Sequence, residues 1–266
     1  MFNVYRKKMT TIYPSPIFGP VKSRRLGVSL GINLLPEDGK VCTFDCIYCE
    51  CGFNAERRPT KPMPTRSEVS AALEAQLIKM HAEGVLPDVL TFAGNGEPTC
   101  HPDFENIIDD TIRLRDKYCP SAKVSVLSNS TRILRPDVFR ALQRVDNNIL
   151  KLDTVAHAYI NKVDRPTSPS YDVEKIVSRM KDFCGHVIIQ TMFMHGTYDD
   201  SDVSNLSEDF ILPWLDAVKA VAPQQVMIYT IDRETPAPTL TKATPSELDA
   251  IRDRVIAMGI PCSASY

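Results

Sequence analysis

Apolar residues recur along this chain in two rhythms that take turns. Short runs rich in Val, Ile and Leu, bounded by turn residues, fall at 28–34, 89–93, 124–128, 149–153, 187–194 and 225–230. Such runs read as buried strands. Between them, apolar positions return every third or fourth residue. In the first such stretch Val69, Ala72, Leu73, Leu77 and Met80 share one face, which predicts a helix with Ser67 as its N-cap and Gly84 just past its end. The same rhythm predicts helices over 102–118, 136–145, 172–184, 203–222 and 245–258. Six strand–helix units in succession imply a parallel sheet with right-handed crossovers. Six are too few to close an eight-stranded barrel, so the expected fold is α/β, a partial, open-sided (β/α)6 TIM-like barrel.

Composition supports one large domain: 266 residues with 43% apolar content can bury a sizeable core. Residues 1–16 read as an N-terminal extension and 17–266 as the partial-barrel domain. No apolar stretch approaches the ~20 residues a membrane span needs. Residues 1–11 are polar and basic with no apolar run of the signal-peptide kind, so a cytoplasmic location is expected. A net charge of −2 excludes a strong general attraction to nucleic acid. Local basic segments at Arg6-Lys7-Lys8, 22–25 and 57–66 leave a phosphate-binding rim open against the plainer reading of solvated faces.

The chemistry concentrates in Cys42-Thr-Phe-Asp-Cys46-Ile-Tyr-Cys49. A four-iron cluster normally takes four cysteine thiolates, and three would leave one iron without a protein ligand. A structural zinc site wants four ligands in closed tetrahedral geometry, which this run does not offer. The competing readings are buried core cysteines and disulfides. The run is too short and mixed for a core stripe, and in a cytoplasmic chain grouped cysteines more often bind metal or react.

CxxxCxxC with the aromatic Tyr48 before its last cysteine resembles the signature of radical S-adenosylmethionine (radical SAM) enzymes. Ala93-Gly94-Asn95-Gly96-Glu97-Pro98, following an apolar run, is similar to the family's glycine-rich element after the second barrel strand. The opening at 18–33, Leu127-Ser-Asn-Ser-Thr131, 189–194 and 229–233 resemble one subgroup, the wyosine-synthetase-like Fe–S oxidoreductases. The likeness covers roughly residues 17–262. It implies a (β/α)6 core, one 4Fe–4S cluster on Cys42, Cys46 and Cys49, and S-adenosylmethionine chelated by the open iron. One electron would then cleave the sulfonium to methionine and a 5′-deoxyadenosyl radical, which takes hydrogen from substrate.

By the same resemblance Tyr48 lies near the adenine, and Gly94, Asn95, Gly96 and Glu97 hold the methionyl amino group, with the Glu97 carboxylate on the ammonium. Asn129 and Asp153 are candidates for the cofactor's carboxylate or ribose hydroxyls, and Gln190 and Met192 for the adenosyl pocket. These positions all fall at C-terminal strand ends, where barrels of this kind place their chemistry. Lys151 and Arg165 are candidates for a substrate anion, although strand alternation is read as turning Lys151 away from the pore. Cys51 and Cys100 fall at the same rim; Cys119, Cys184 and Cys262 read as structural, and His101 and His157 as facing the mouth.

The implied partners are an electron donor such as a flavodoxin or ferredoxin and an unidentified substrate, with a macromolecule left open and nucleic acid weakly supported. Archaeal and eukaryotic wyosine enzymes carry further cysteines upstream of the motif for a second cluster, and this sequence has none before Cys42. That argues against the same reaction by the same mechanism. A non-catalytic iron–sulfur redox or interaction protein is the alternative from another class. The N-terminal segment, long loops, a large substrate or a partner are the expected caps of the barrel mouth.

Overall fold

The computed structural model of this protein describes residues 11–23 and 27–266. Arg6-Lys7-Lys8, Arg24 and Arg25, singled out above for their charge, lie outside the described residues.

The chain begins with an antiparallel pair, β1 (Ile17–Ser23) and β2 (Gly27–Ile32). It continues through α1 (Arg66–Ala82), β3 (Val89–Phe92), α2 (Phe104–Tyr118), β4 (Lys123–Ser128), α3 (Pro136–Leu142), β5 (Asn147–Lys151), the short α4 (His157–Tyr159) and α5 (Val173–Lys181). Then come β6 (Ile188–Met192), β7 (Met194–Tyr198), β8 (Ser201–Asp202), α6 (Glu208–Val221), β9 (Gln225–Tyr229), β10 (Leu240–Lys242), α7 (Pro245–Ala257) and β11 (Cys262–Ser265). One eight-stranded sheet runs in the order β1-β2-β3-β4-β5-β6-β9-β11, with β7, β8 and β10 in a separate three-stranded sheet. Every pairing in the large sheet except β1–β2 is parallel. β1 and β11 stand at its two edges, so the barrel is open-sided. The fold is a single α/β domain, as the alternation of strand and helix patterns requires.

Alternate residues of each parallel strand face opposite ways. On the helix side Leu30, Ile32, Leu90, Phe92, Val124, Val126, Leu150, Ile189, Val226 and Ile228 join the main core with Leu73, Leu77, Ile108, Leu114, Trp214 and Ile251. On the lumen side a small layer of Ile149, Ile188 and Met227, with Leu127 against it, fills the barrel. Below it the lumen is polar: Ser29 bonds Thr91 at 2.8 Å, and Asn147 bonds Ser125 at 2.8 Å. The Phe18 ring lies over Gly31, where an added Cβ would come within 2.2 Å of it.

Several boundaries differ from the sequence reading for identifiable reasons. Helix α1 is capped by Thr65, not Ser67. Thr65 and Glu68 form a reciprocal capping box, and Ser67 lies in the first turn with its hydroxyl 3.1 Å from that of Thr65. Gly84 follows the C-cap with φ +69°, the left-handed closure that glycine accepts freely. The single strand expected over 187–194 divides into β6 and β7. Asn205, fully buried, accepts from the Met194 N–H at 3.0 Å and donates to the Met192 carbonyl at 2.8 Å, taking the place of a ladder partner at the break. Beyond it β7 turns back on β8 through Asp199 and Asp200, both at positive φ, a two-residue hairpin loop. That hairpin delays α6, expected from 203, until Glu208.

Removing the Asn205 side chain leaves two buried backbone groups unpaired, so Asn205→Ala is expected to destabilise the fold by roughly 2–4 kcal/mol in urea unfolding. A second expectation concerns acid. Glu247, in the capping box of α7 with Thr244, is pulled down from 4.5 to about 2 by the Thr244 hydroxyl and N–H, with His195 3.0 Å away adding to it. A carboxyl with a depressed folded pKa stabilises above its unfolded value and loses that contribution as pH falls through the folded one. Unfolding midpoints of Glu247→Gln should therefore lie below wild type at neutral pH, and should fall less than wild type's between about pH 4.5 and about pH 2.

Candidate active site

The long segment between β2 and α1 lies across the C-terminal ends of the parallel strands, and its path is fixed by backbone hydrogen bonds. Val41 N–H donates to the Asn95 carbonyl at 3.0 Å, and Glu97 N–H donates to the Val41 carbonyl at 3.0 Å. This seam passes so close to Gly96 (φ +127°) that a Cβ there would stand 2.0 Å from the Val41 oxygen, hence glycine. At Gly94 (φ +137°) a Cβ would meet the Asn33 amide at 2.6 Å. Further on, Asp45 N–H and Ile47 N–H donate to the carbonyls of Asp164 and Val163 at 2.9 and 3.0 Å. The cysteine loop is thus sewn to the strand ends on both sides.

Each of the three cysteine sulfurs meets a different set of protein groups. Cys42 Sγ lies 3.5 Å from the Asn129 amide nitrogen. Cys46 Sγ lies 3.2 Å from Lys151 Nζ and 3.8 Å from Asp164 Oδ1. Cys49 lies beside Lys40 and the Cys51 thiol. Burial lifts the Cys42 thiol to about 12 and Cys46 further, whereas the Cys51 hydrogen bond draws Cys49 down to about 6 against its own burial. Thiols held neutral by burial become thiolates when metal displaces their protons.

Two ammonium groups, Lys40 buried and Lys151 largely so, flank these sulfurs. Lys40, 3% exposed, donates to the Gly52 carbonyl at 2.7 Å. Burial lowers its basicity, but the three cysteines together outweigh that and raise it. Lys151 pairs with Asp164, stands 3.3 Å from Asp153, and lies 4.8 Å over both the Phe44 and Tyr48 rings. Burial opposes its charge, and Asp153, Asp164 and Cys46 more than restore it. Among the described residues no three His, Cys, Asp or Glu side chains converge on a point that would enclose a single metal ion. A four-iron cluster spreads its ligands over separate irons. Three separated thiols with two buried cations and an amide donor therefore fit an anionic cluster.

The other sequence-assigned residues divide into those at this centre and those behind it. Tyr48, Asp153 and Met192 come together: the Tyr48 hydroxyl donates to Asp153, whose other oxygen accepts from Met192 N–H at 2.9 Å. Tyr48 and Met192 pack with Cys46, Phe44, Ile47 and Tyr159 in a second apolar cluster. Gln190, half-buried, is paired with Lys151 across the β5–β6 ladder on the lumen side. Asn129 reaches Thr43 Oγ1 at 2.9 Å as well as Cys42.

Glu97 is 1% exposed, and its carboxylate accepts from Thr99 N–H at 3.1 Å, Thr99 Oγ1 at 2.6 Å, Ser128 Oγ at 2.9 Å and Asn129 N–H at 2.6 Å. Three of these donors fall on Oε1 and one, the Asn129 N–H, on Oε2, so the side chain ties β3 to β4 while Oε2 keeps a lone pair for a further donor. Asn95 is likewise turned inward, bonded to both backbone groups of Tyr13 at 2.7 and 2.9 Å and to the Pro36 carbonyl at 2.8 Å.

Three further expectations are corrected. Lys151 points into the lumen, because it shares a strand face with Ile149 of the inner layer. His101 is 2% exposed and fixed between the Pro64 carbonyl at 2.8 Å and the Asp103 N–H at 3.1 Å. His157 pairs with Glu174 on the exposed helical face at 2.8 Å. Cys51 is buried, its thiol 3.4 Å from the Gly94 carbonyl, and Cys100 is half-buried near Glu97 and Arg132. Sequence reasoning missed Lys40, Thr43 and Asp164. Lys40, two residues before the first cysteine, was the one with a legible signal.

A family model described as the radical SAM superfamily matches residues 37–210. A UPF0026 protein of Helicobacter pylori strain J99 is 30% identical over 219 residues, 82% of this chain and 66% of that protein. The chain thus spans just under two thirds of that curated relative. Among solved structures, a radical SAM methyltransferase from Sphaerobacter thermophilus superposes with TM-score 0.65 at 13% identity, over 90% of this chain and 66% of that one. Streptococcus suis SuiB bound to S-adenosylmethionine superposes with TM-score 0.61 at 15% identity, over 88% of this chain and 50% of its own. No helix among the described residues is long and apolar enough to cross a membrane. The superfamily's cofactors, a 4Fe–4S cluster and S-adenosylmethionine, are accordingly those of this chain, which belongs to the radical SAM superfamily.

Proposed function

We propose that this chain is a single-cluster radical enzyme of the wyosine-synthetase-like subgroup, acting on a substrate of its own. Held by Cys42, Cys46 and Cys49 and reduced, the cluster would supply the one electron that splits the sulfonium of S-adenosylmethionine into methionine and a 5′-deoxyadenosyl radical, and that radical would take a hydrogen atom from the substrate. The carrying observation is the cysteine loop sewn over the C-terminal strand ends with Lys40 and Lys151 buried against its sulfurs.

In this reading Cys42, Cys46 and Cys49 hold the cluster. The backbone around Gly94 and Gly96, whose missing side chains let Asn33 and Val41 close in, receives the methionyl end of the cofactor. Glu97 acts one step back, fixing the Asn129 backbone so that its amide faces Cys42. Lys151 and Lys40 offset the negative charge of thiolates in a dry site, where unpaired charge is costly. Tyr48, Asp153, Gln190 and Met192 form the wall toward the adenosyl group, and the apolar cluster around them excludes water that would quench a radical. The electron comes from a one-electron carrier such as a flavodoxin or ferredoxin.

The test is anaerobic reconstitution followed by dithionite and S-adenosylmethionine, with 5′-deoxyadenosine quantified. Wild type should form it, and Cys46→Ala should form at least ~100-fold less. A fully loaded wild type that forms none would sink the proposal and favour a non-catalytic iron–sulfur protein. Lys151→Met leaves Asp164 and Asp153 buried without their cation, so it is expected to lose roughly 3–5 kcal/mol of stability. Its iron content after reconstitution should fall below that of wild type.

A further inference from the structure

A recess of about 540 Å³ opens between the cysteine loop and the residues after α4. Cys42 forms part of its wall, together with Arg58, Arg165, Asn54 and Thr167. None of the cofactor roles assigned above uses these last four residues.

Arg165 is held in place before any ligand arrives. Its backbone is left-handed (φ 53°, ψ 67°), an uncommon state for a residue with a side chain. It persists because the Arg165 N–H closes a wide turn onto the Ile160 carbonyl at 2.8 Å. Its guanidinium lies 4.9 Å over the Phe53 ring, donates to the Tyr198 hydroxyl at 3.0 Å, and stands 3.3 Å from Asp45. A guanidinium has more N–H donors than these two partners take.

Arg58 lines the same recess, exposed, and makes no ion pair with any described residue. The one carboxylate in the wall, Asp45, is already engaged by Asn54 N–H at 2.7 Å and by Arg165, with Lys40 at 3.9 Å. Two arginines therefore face a space whose only acid is satisfied.

A second observation points to a ligand. The Asn54 side-chain oxygen is buried and has no hydrogen-bond partner among the described residues. Its orientation is set by the amide nitrogen, which donates to the carbonyls of Phe44 at 3.1 Å and Cys42 at 3.4 Å. A buried acceptor left unpaired is costly, and a ligand N–H or O–H would satisfy it.

We propose that this recess binds an oxyanion group, carboxylate or phosphate, of the molecule the enzyme acts on, through Arg58 and Arg165. A neighbouring N–H or O–H of the same molecule pairs with Asn54. The assignment of the anion to the enzyme's substrate rests on the function proposed above. The anion site itself does not.

The test uses the full chain, anaerobically reconstituted, with inorganic phosphate and acetate as separate probes against chloride of equal ionic strength. Phosphate, acetate or both should raise the unfolding midpoint of wild type by about 3 °C at saturation. The probe with the larger effect identifies the class of oxyanion. Arg58→Gln, at an exposed position with no ion pair among the described residues, should fold and lose this shift while still forming 5′-deoxyadenosine from S-adenosylmethionine alone. Arg165→Gln should lose it too. No shift with either probe in wild type, or an undiminished shift in Arg58→Gln, overturns the site. Loss of 5′-deoxyadenosine in Arg58→Gln shows the recess to be part of the cofactor site and overturns its assignment to the substrate. A wild type that forms no 5′-deoxyadenosine yet shows the shift would refute the enzymatic reading alone.

Discussion

Lys151 is the point at which the barrel and the cysteine loop depend on one another. Its ammonium leaves the end of β5 on the lumen side and meets the buried Asp164, Asp153 and Cys46 sulfur. Opposite charges there attract far more strongly than at a surface, and none can be removed without stranding the others. Asp164 shows the tension: burial lifts its carboxyl to about 6 even though Lys151 pulls it down. The backbone carbonyls of Asp164 and Val163 in turn hold Asp45 and Ile47 of the cysteine loop. Charge and backbone pairing therefore fix the same segment twice, which places Cys46 over the lumen.

The opposite margin of the loop is held without charge. Val41, Gly96, Gly94, Asn33 and Asn95 form a tight seam in which side chains are absent or turned into backbone hydrogen bonds. The Asn33 amide nitrogen reaches the carbonyls of Tyr13 and Pro14, each at 3.2 Å, and Asn95 reaches Tyr13 again. The segment before β1 is thereby bound to the glycine element. Glu97 extends the seam to β4 through Ser128 and Asn129. A soft, glycine-bearing margin beside a charged one leaves backbone groups accessible near the first cysteine while side chains surround the second.

This division explains what the sequence could and could not disclose. Six of the seven parallel strands were legible because both their faces are buried and they read as unbroken apolar runs. The helices were legible from their period. β1 and β11 were not, since edge strands with a Gly-Pro pair or a run of Ser and Ala carry no such signal. The break at Asn205 was invisible because a polar side chain substitutes for a ladder partner only in three dimensions. At the site, the cysteines and the glycines could be placed, but side-chain direction could not. Asn95 has the right type and position, yet both its amide N–H donors are taken by Tyr13 and Pro36, remote in sequence, and Glu97 is drawn toward Ser128 and Asn129 of the next strand. Lys151 was misread although the alternation rule holds: whether odd or even positions face the lumen is set by Ile149, Ile188 and Met227 packing together, a tertiary fact.

The lumen also constrains where a reacting molecule can stand. Its lower half is closed by Phe18 over Gly31 and by hydroxyl and amide pairs across the strands. The layer of Ile149, Ile188 and Met227 sits above these and seals them from the mouth. In the proposed reading, chemistry is confined to the zone between that layer and the cysteine loop. On the β5–β6–β9 side this zone is walled by Tyr48, Met192 and Ile231, on the β3–β4 side by Gly94, Gly96 and Asn129. A zone closed below by that layer and above by the cysteine loop must, in that reading, hold a nucleoside cofactor as well as the reacting part of a substrate. Recognition of the rest of the substrate, in the same proposed reading, draws on surface beyond the strand ends, and the recess beside Cys42 lined by Arg58 and Arg165 offers preorganised polar groups for it.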